Sequence, residues 1–348
     1  MTISRFNLAT CKMNNIFGIC SHDLIKKKYF KFTDSIHDSS SNDKSEVHTF
    51  KPSENLELSY TSVSNHHEIY KHFQGPYIFL LKGNIYQSSS GQANILHLLQ
   101  ELERASKDGL AGKIDGSFVL VAFDKSENNL SLYRDRLGTR PLYYLHKDGV
   151  FVFSSAIRPI LASGYWSGGV NLKAIDQFLT YGYIPAPETP FDGIYQVQQG
   201  CRLTLKDNQL TEKPYWKFEY CRNKNDQLFG EQAIKAFAQA FERSMSRRLE
   251  AHPGCGAFLS GGLDTSIVAA VRKKLTGERF KAFSIGFEEK AYDETEDARI
   301  VAEHLGLDFY SAKIGFDIDF PDLLEQIVKH HETPFSDTSA IPSYYAAQ

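Results

Sequence analysis

From about Tyr77 the chain breaks into short aromatic and β-branched runs, "YIFLL", "SFVLVAF", "LSLYR", "PLYYL" and "VFVFSS", separated by Gly, Asn and Asp. Runs of this length and composition predict the strands of an antiparallel sheet region. One amphipathic stretch interrupts them. Over 92–106, "QANILHLLQELERAS", the residues Ile95, Leu98, Leu99 and Leu102 fall on one helical face. Residues 34–55, "DSIHDSSSNDKSEVHTFKPSEN", are polar and serine-rich and read as a loop or a poorly ordered insertion. A short helical run near 171–180 leads into "YGYIPAPETPFDGIYQVQQG", whose prolines predict irregular chain.

Past residue 229 the rhythm changes. A helix at about 230–249 is followed by the short apolar strand "GAFL", a glycine turn, and a helix whose Ile267, Val268, Val271 and Leu275 share a face. Then come the strand "KAFSIGF", the acidic loop "EEKAYDETED", the helix "ARIVAEHL" ending at Gly306, and the strand "DFYSAKI". Strand–helix alternation at this spacing predicts a parallel sheet. The charged, turn-rich stretch near 206–228 marks the boundary: a domain over 1–210, a linker over 211–228 and a second domain over 229–348.

Composition excludes several classes. A net charge of −3 over 348 residues gives no bulk field toward nucleic acid or anionic membrane. The longest apolar runs fall far short of the roughly 20 residues that span a bilayer, and the first residues carry no run of signal-peptide length. Five cysteines, without C-x-x-C spacing, suit reduced thiols better than a disulfide framework or a zinc site. The expectation is a soluble cytoplasmic protein that binds neither nucleic acid nor membrane.

The candidate chemistry sits in "GAFLSGGLDTSIVAAV", at a strand-to-helix junction of the parallel region. Ligands of open parallel sheets bind where strand carboxyl ends meet helix amino ends. Gly261 and Gly262 let the backbone approach a ligand, and the exposed amides of the helix start attract an anion. Hydroxyls of Ser260, Thr265 and Ser266 can add hydrogen bonds to phosphate oxygens. Asp264 would repel bare phosphate, so it makes sense with a divalent cation between, and Mg²⁺ with substrate phosphates is the usual pairing. The alternative is a tight turn that uses glycine for geometry and hydroxyls as helix caps.

This stretch resembles the S-G-G-x-D-S signature of the PP-loop ATP pyrophosphatases, which adenylate an oxygen with ATP and release pyrophosphate. The resemblance puts Leu259 and Ile285, at the tips of the first two strands, beside the adenosine. It matches Ser260, Gly261, Asp264 and Thr265 to the pyrophosphate and Mg²⁺ positions, with the metal on Asp264, and Gly262 and Ser266 complete the expected ATP-binding set. "DGSFVLVAFD", "LYRDRLGTRPLYYL", the proline segment with "KPYW", "FSIGFEEKAYDETEDARIVAEHLG" and "HETPFSDTSAIPSYY" resemble the asparagine synthetase family in order over about 77–348, with 1–76 weakly matched. That implies an α+β antiparallel-sheet domain of the amidotransferase, N-terminal nucleophile type, followed by an α/β parallel-sheet PP-loop domain. It further implies an ATP- and Mg²⁺-dependent ligase joining a small-molecule or peptide carboxylate to an amine or ammonia. Asp337, Thr338 and Ser339 are candidates for holding the substrate, and helix capping explains them equally well. Arg134-Asp135-Arg136 reads as structural ion pairing in preference to a catalytic cluster.

Departures from the family are informative. Its glutaminase half needs a cysteine as the first residue after Met removal, the thiol attacking the amide with the free α-amine as base. Here residue 2 is threonine, and the best local match to that start is internal, with Asn14 in the cysteine's place. Lys82 stands where the family has an oxyanion-stabilising Asn, in "KGNIYQ". The expectation is no glutaminase activity, as in β-lactam synthetases and lasso-peptide cyclases. The family's later S-G-[DE]-G-x-D-E motif does not occur in the chain. The sequence is therefore expected to be a truncated frame or fragment, either a ligase or a catalytically dead binding subunit completed by a partner chain. A homo-oligomer stays open.

Overall fold

The structure is a computed structural model that describes residues 15–21, 45–63, 69–73, 75–86, 114–220, 227–315 and 320–347. It divides into two compact units, with the boundary at Phe218 and Glu219. The helix expected over 92–106 lies outside the described residues.

In the first unit the strands are β1 (Ile16–Ser21), β2 (Ser45–Ser53), β3 (Leu56–Val63), β4 (Ile69–His72), β5 (Tyr77–Ile85) and β6 (Gly116–Asp124). They continue with β7 (Asn129–Arg134), β8 (Tyr143–Lys147), β9 (Val150–Ser154), β10 (Ile194–Gln196), β11 (Cys201–Lys206) and β12 (Gln209–Pro214). Two six-stranded sheets result, in the orders β10-β8-β9-β1-β3-β2 and β12-β11-β7-β6-β5-β4. Pairing is antiparallel throughout both.

The apolar runs are continuous because both faces of each strand are covered. Along β6, Val119 and Val121 join Leu80 from β5 and Phe153 from β9 in one cluster between the sheets. Phe118 and Leu120 point the other way, into a cluster with Phe79 and Tyr133. On the far side of the first sheet, Phe17, Ile19 and Val152 pack against Ile157 and Ile160, the latter from the short helix α1 (Arg158–Ala162). Fully burying a side chain such as Phe118, Phe151 or Phe153 contributes roughly 1.5–3 kcal/mol each. Helix α2 (Leu172–Tyr181) falls where expected, its start capped by the Asn171 side chain accepting from the Ala174 amide at 3.2 Å.

Two expectations need correction. The polar stretch 34–55 is not all loop, because residues 45–53 form β2, paired along β3. Polarity hid the signal: Phe50 packs on the core, His48 stacks on Tyr60 with ring centroids 4.8 Å apart, and Thr49 Oγ1 lies 2.9 Å from Ser59 Oγ. Likewise residues 211–214 are strand rather than linker, and β10 lies inside the proline-rich segment.

The Arg134-Asp135-Arg136 cluster is structural, working through backbone groups. Arg134 donates to the carbonyls of Arg140 (2.8 Å), Val197 (2.7 Å) and Gly138 (2.7 Å). The buried Asp135 carboxylate accepts from the amides of Leu137, Thr139 and Arg140 at 3.0–3.1 Å and from the Thr139 hydroxyl at 2.8 Å. The pair fixes the turn that carries the chain from β7 to β8.

In the second unit, α3 (Gly230–Ala251) precedes β13 (Ala257–Phe258), α4 (Leu263–Thr276) and β14 (Lys281–Phe287). A 3₁₀ turn at Lys290–Tyr292, α5 (Thr295–Leu305), β15 (Asp308–Ile314), α6 (Phe320–His331) and α7 (Ala340–Ala346) follow. The sheet is parallel in the order β13-β14-β15. Its core is built from small residues, Ala269, Ala282, Ala298 and Ala302 with Leu259 and Phe280, so the helices approach the strands closely. Helix α4 turns its apolar face outward. Its buried positions are Ala269 and Arg272, whereas Ile267, Val268 and Leu275 from the expected apolar face are exposed. Gly306 caps α5 in the left-handed conformation, as its position predicts.

Removing the buried Asp135 carboxylate deletes its bonds from three partly exposed amides and one hydroxyl, at a net of about 0.5–1.5 kcal/mol each. Asp135→Ala should lower the urea midpoint of the first unit by the equivalent of about 3 kcal/mol. Unchanged midpoints would show that water replaces the carboxylate.

Candidate functional site

The phosphate-loop candidates come together at the carboxyl end of β13. Leu259 is buried in the core, and its amide donates to the Phe283 carbonyl at 2.8 Å, extending the parallel pairing by one residue. The chain then turns. Gly261 adopts φ of +83°, and Gly262, at φ −65° and ψ 159°, is the N-cap of α4. The loop is tied by its own hydroxyls. Thr265 Oγ1 accepts from the Ser260 amide at 3.2 Å and sits 3.1 Å from Ser260 Oγ, which accepts from the Gly262 amide at 3.3 Å. Ser266 Oγ donates to the Gly262 carbonyl at 2.8 Å.

Two loop amides are thus used internally, and the helix start is left open. Gly262 offers no side chain as a cap, and the Ser266 amide makes the first bond of the helical ladder, to the Gly262 carbonyl at 3.1 Å. The amides of Leu263, Asp264 and Thr265 precede it, in the turn where helical N–H groups have no intrahelical acceptor. Ser260, Gly262 and Asp264 are exposed. The geometry presents outward N–H groups, hydroxyls and one carboxylate, the donor set for an anion with a counter-cation.

Gly261 sets the loop's place. A Cβ there would lie 2.6 Å from the Asp297 Cβ and 2.7 Å from the Ala298 amide nitrogen, so the loop rests directly on the backbone of α5. A Cβ on Gly262 would meet the Ser260 Oγ at 3.3 Å.

Ile285 lies on β14 opposite Ala312 and is half-buried. Beyond it the structure reveals a brace that motif reading missed. Asp293 accepts from Lys313 Nζ at 2.5 Å, from the Thr295 hydroxyl at 2.7 Å and from the Thr295 amide at 3.2 Å. These bonds, led by that from Lys313, hold the carboxyl below its usual range. The acidic composition of "EEKAYDETED" concealed which carboxylate is structural.

Asp337 and Ser339 are joined to each other. Asp337 Oδ1 accepts from the Ser339 amide at 2.8 Å and from its hydroxyl at 2.7 Å, a turn that leads into α7, and Thr338 is exposed between them. The turn precedes the helix without capping it, since the N-cap Ser339 makes no side-chain cap bond, and the bond from Ser339 holds the Asp337 carboxyl below its ordinary value.

In the first unit, Asn14 lies outside the described residues. Its neighbour Asn15 immediately precedes β1, and the buried Lys82 reaches it across the sandwich. Lys82 Nζ lies 3.5 Å from Asn15 Oδ1 and 3.4 Å from Ser155 Oγ, and Ser155 donates to Asn15 Oδ1 at 3.1 Å while accepting from the Ile16 amide at 3.1 Å. Lys82 and the start of β1 therefore meet.

For Mg²⁺, the residues present fit a shared site. Among the described residues no group of three or more His, Cys, Asp or Glu forms a protein-only cage. Asp264 in the first turn of α4 is a single exposed carboxylate, which suits a cation that takes its other ligands from phosphate oxygens and water.

Gly261→Ala should cost about 1–3 kcal/mol, from the left-handed backbone and the collision with α5. Gly262→Ala should cost well under half as much; equal losses in urea melts would contradict the loop's seating. The depressed Asp293 carboxyl makes its brace stabilising above the unfolded carboxylate value of about 3.9, with loss as pH falls through the lower folded value. The stability gap between the protein and Asp293→Asn should be full at pH 7 and shrink in melts taken below pH 4. A pH-independent gap would remove the carboxylate from the account.

Comparison with known proteins follows this geometry. The asparagine synthase family model matches residues 236–348, and a glutamine amidotransferase domain model matches residues 44–216. Asparagine synthetase [glutamine-hydrolyzing] 1 of Bacillus subtilis is 28% identical over 248 residues, covering 70% of this chain and 38% of that protein. A putative asparagine synthetase [glutamine-hydrolyzing] 2 of Methanocaldococcus jannaschii is 28% identical over 241 residues, covering 68% and 46%. Amidase chyE of Penicillium rubens is 28% identical over 242 residues, covering 65% and 35%. The chain spans less than half the length of these relatives. Both family models thus match in order along one chain, and the chain is similar to asparagine synthetases over about two thirds of its length.

Proposed function

We propose that this chain carries the nucleotide-handling loop of an AMP-forming carbon–nitrogen ligase. A carboxylate oxygen of the substrate attacks the α-phosphorus of ATP, the bond to the bridging oxygen breaks, and pyrophosphate leaves. An amine or ammonia then attacks the acyl-adenylate and AMP departs. The observation that carries the reading is the uncapped first turn of α4 behind Gly261 and Gly262, with Ser260 and Thr265 hydroxyls beside it. Negative charge builds on the departing pyrophosphate in the first step, so that step needs the charge neutralised.

The chain's own residues have defined tasks in this reading. The amides of Leu263, Asp264 and Thr265, and the hydroxyls of Ser260, Thr265 and Ser266, bind the β- and γ-phosphates and take up charge as they depart. Seating of Gly261 on α5 holds those donors in place before the ligand arrives. Asp264 would hold Mg²⁺, which would supply further neutralisation of phosphate charge. Leu259 and Ile285 border the adenosine.

The amidotransferase-like unit is read as hydrolytically silent. Its Lys82 ammonium lies at the start of β1 among Asn15 and Ser155, where the family's reaction requires a thiol, a free amine and a neutral oxyanion donor. The amine donor is then not ammonia released from glutamine within this chain.

A second reading, a catalytically dead binding subunit completed by a partner chain, is favoured by α3. That helix has no buried residue and exposes Ile234 and Phe237. Equilibrium binding of ATP–Mg²⁺ to the purified chain separates the two. The ligase reading expects saturable binding that Asp264→Ala weakens at least tenfold, together with carboxylate-dependent ATP–pyrophosphate exchange that the substitution eliminates. Exchange unchanged in Asp264→Ala would remove the proposed metal role, and no binding at millimolar ATP would favour the dead subunit. Glutamine should yield no glutamate above the protein-free rate, with or without ATP; measurable release would overturn the silent unit.

A further inference from the structure

The brace at Asp293 joins two parts of the second unit that the ligase reading assigns to different ends of ATP. Ala282, Ser284 and Gly286 lie on the buried face of β14, the face on which Ala282 packs with Ala298 and Ala302 of α5. After β14 the chain leaves the sheet through the 3₁₀ turn at Lys290–Tyr292 and returns to it at Asp293. The returning carboxylate takes the place of a missing side chain. A Cβ on Gly286 would collide with Asp293 Oδ1 and lie 2.5 Å from Thr295 Cγ2. Lys313, the register partner of Gly286 on β15, meets the same carboxylate from the neighbouring strand at 2.5 Å. Asp293 and Thr295 thereby fix the first turn of α5 to the tips of β14 and β15. The next residues of that turn, Asp297 and Ala298, are the seat of Gly261.

We propose that Gly286, Asp293 and Lys313 form a positioning device for the nucleotide. The set fixes α5 against the end of β14, and so sets the spacing between that strand tip and the phosphate loop at the end of β13. The inference rests on the ligase reading of the loop, in which Ile285, next to Gly286, borders the adenosine. ATP has to meet both strand tips at once, whereas inorganic pyrophosphate needs the loop alone. The loop's own shape is secured separately, by the Ser260 and Thr265 hydroxyls and by the packing of Gly261 on backbone. Loosening the brace therefore removes no phosphate donor. It lets one half of the site shift against the other, and nucleotide binding must then meet the cost of ordering them. Lys313 separates this role from plain helix capping. The Thr295 amide and hydroxyl already bond Asp293, so a capping carboxylate has no need of an ammonium from β15.

The test is isothermal titration of the full chain with ATP–Mg²⁺ and, separately, with inorganic pyrophosphate–Mg²⁺. Lys313 is exposed, so its replacement leaves the core intact. Lys313→Met should weaken ATP about tenfold, in the range by which residues that touch no ligand modulate affinity, and leave pyrophosphate within about twofold. Lys313→Arg, which keeps the cation, should retain the ATP affinity. Asp293→Asn should repeat the pattern of Lys313→Met. The double variant should bind ATP no more weakly than either single one, because the two side chains act as one unit. Equal losses for both ligands, or an unchanged ATP affinity in Lys313→Met, overturn the proposal, and this comparison stands even where Asp293→Asn does not fold. A wild-type chain that binds neither probe removes the ligase reading and this inference with it. Wild-type binding of both probes, with the variants losing both alike, removes the inference alone.

Discussion

The second unit is organised around one close approach, the seating of Gly261 on the backbone of α5 at Asp297 and Ala298. Space for a single missing Cβ decides where the loop lies, which amides of α4 face outward and how β13 meets β14. The surrounding core follows the same economy. Alanines at 269, 282, 298 and 302 bring two helices and a strand close enough for the turn to be rigid without large side chains. A loop of this kind is pre-organised by packing, so a ligand does not have to meet the cost of ordering it.

The two units reach order by different means. The first is a sandwich whose inner strands, such as β5 and β6, are apolar on both faces, with turns fixed by polar hubs such as Asp135. The second depends on small residues, a parallel sheet and charged braces at strand ends, of which Asp293 with Lys313 is one. Sandwich burial is large and diffuse, so single changes there cost stability. In the second unit a methyl group in the wrong place alters the geometry of the loop.

Much of this was legible in the residues. The strand runs from Tyr77 onward, the β14 and β15 segments and the glycine junction were each visible, because composition and period agree there. Strand β2 escaped notice because serines and a lysine outweighed the alternation around Val47 and Thr49, and its pairing partner is what makes it a strand. The outward turn of α4 was not legible for a related reason: periodicity shows that Ile267, Val268 and Leu275 share a side, and it says nothing of whether that side meets the sheet. Arg272 gave no signal at all, since a buried arginine on an amphipathic helix is recognisable only once Phe280 and Cys255 are beside it. At the loop itself the sequence supplied residue types, and the conformation supplied which amides are spent on internal hydroxyls and which are not.

The outer strands of the sheets are finished differently. In the sandwich, β2 carries Pro52 near a register shift, β12 ends in Glu212, Lys213 and Pro214, and β4 and β10 are only four and three residues long. Proline, charge, irregularity and brevity are the devices that stop a bare margin from recruiting a foreign strand. The parallel sheet shares the brevity at one margin, where β13 has two residues, whereas on the other β15 runs for seven with Tyr310 exposed. Strand-to-strand recruitment, whether into a productive assembly or into an aggregate, therefore has its open door along β15.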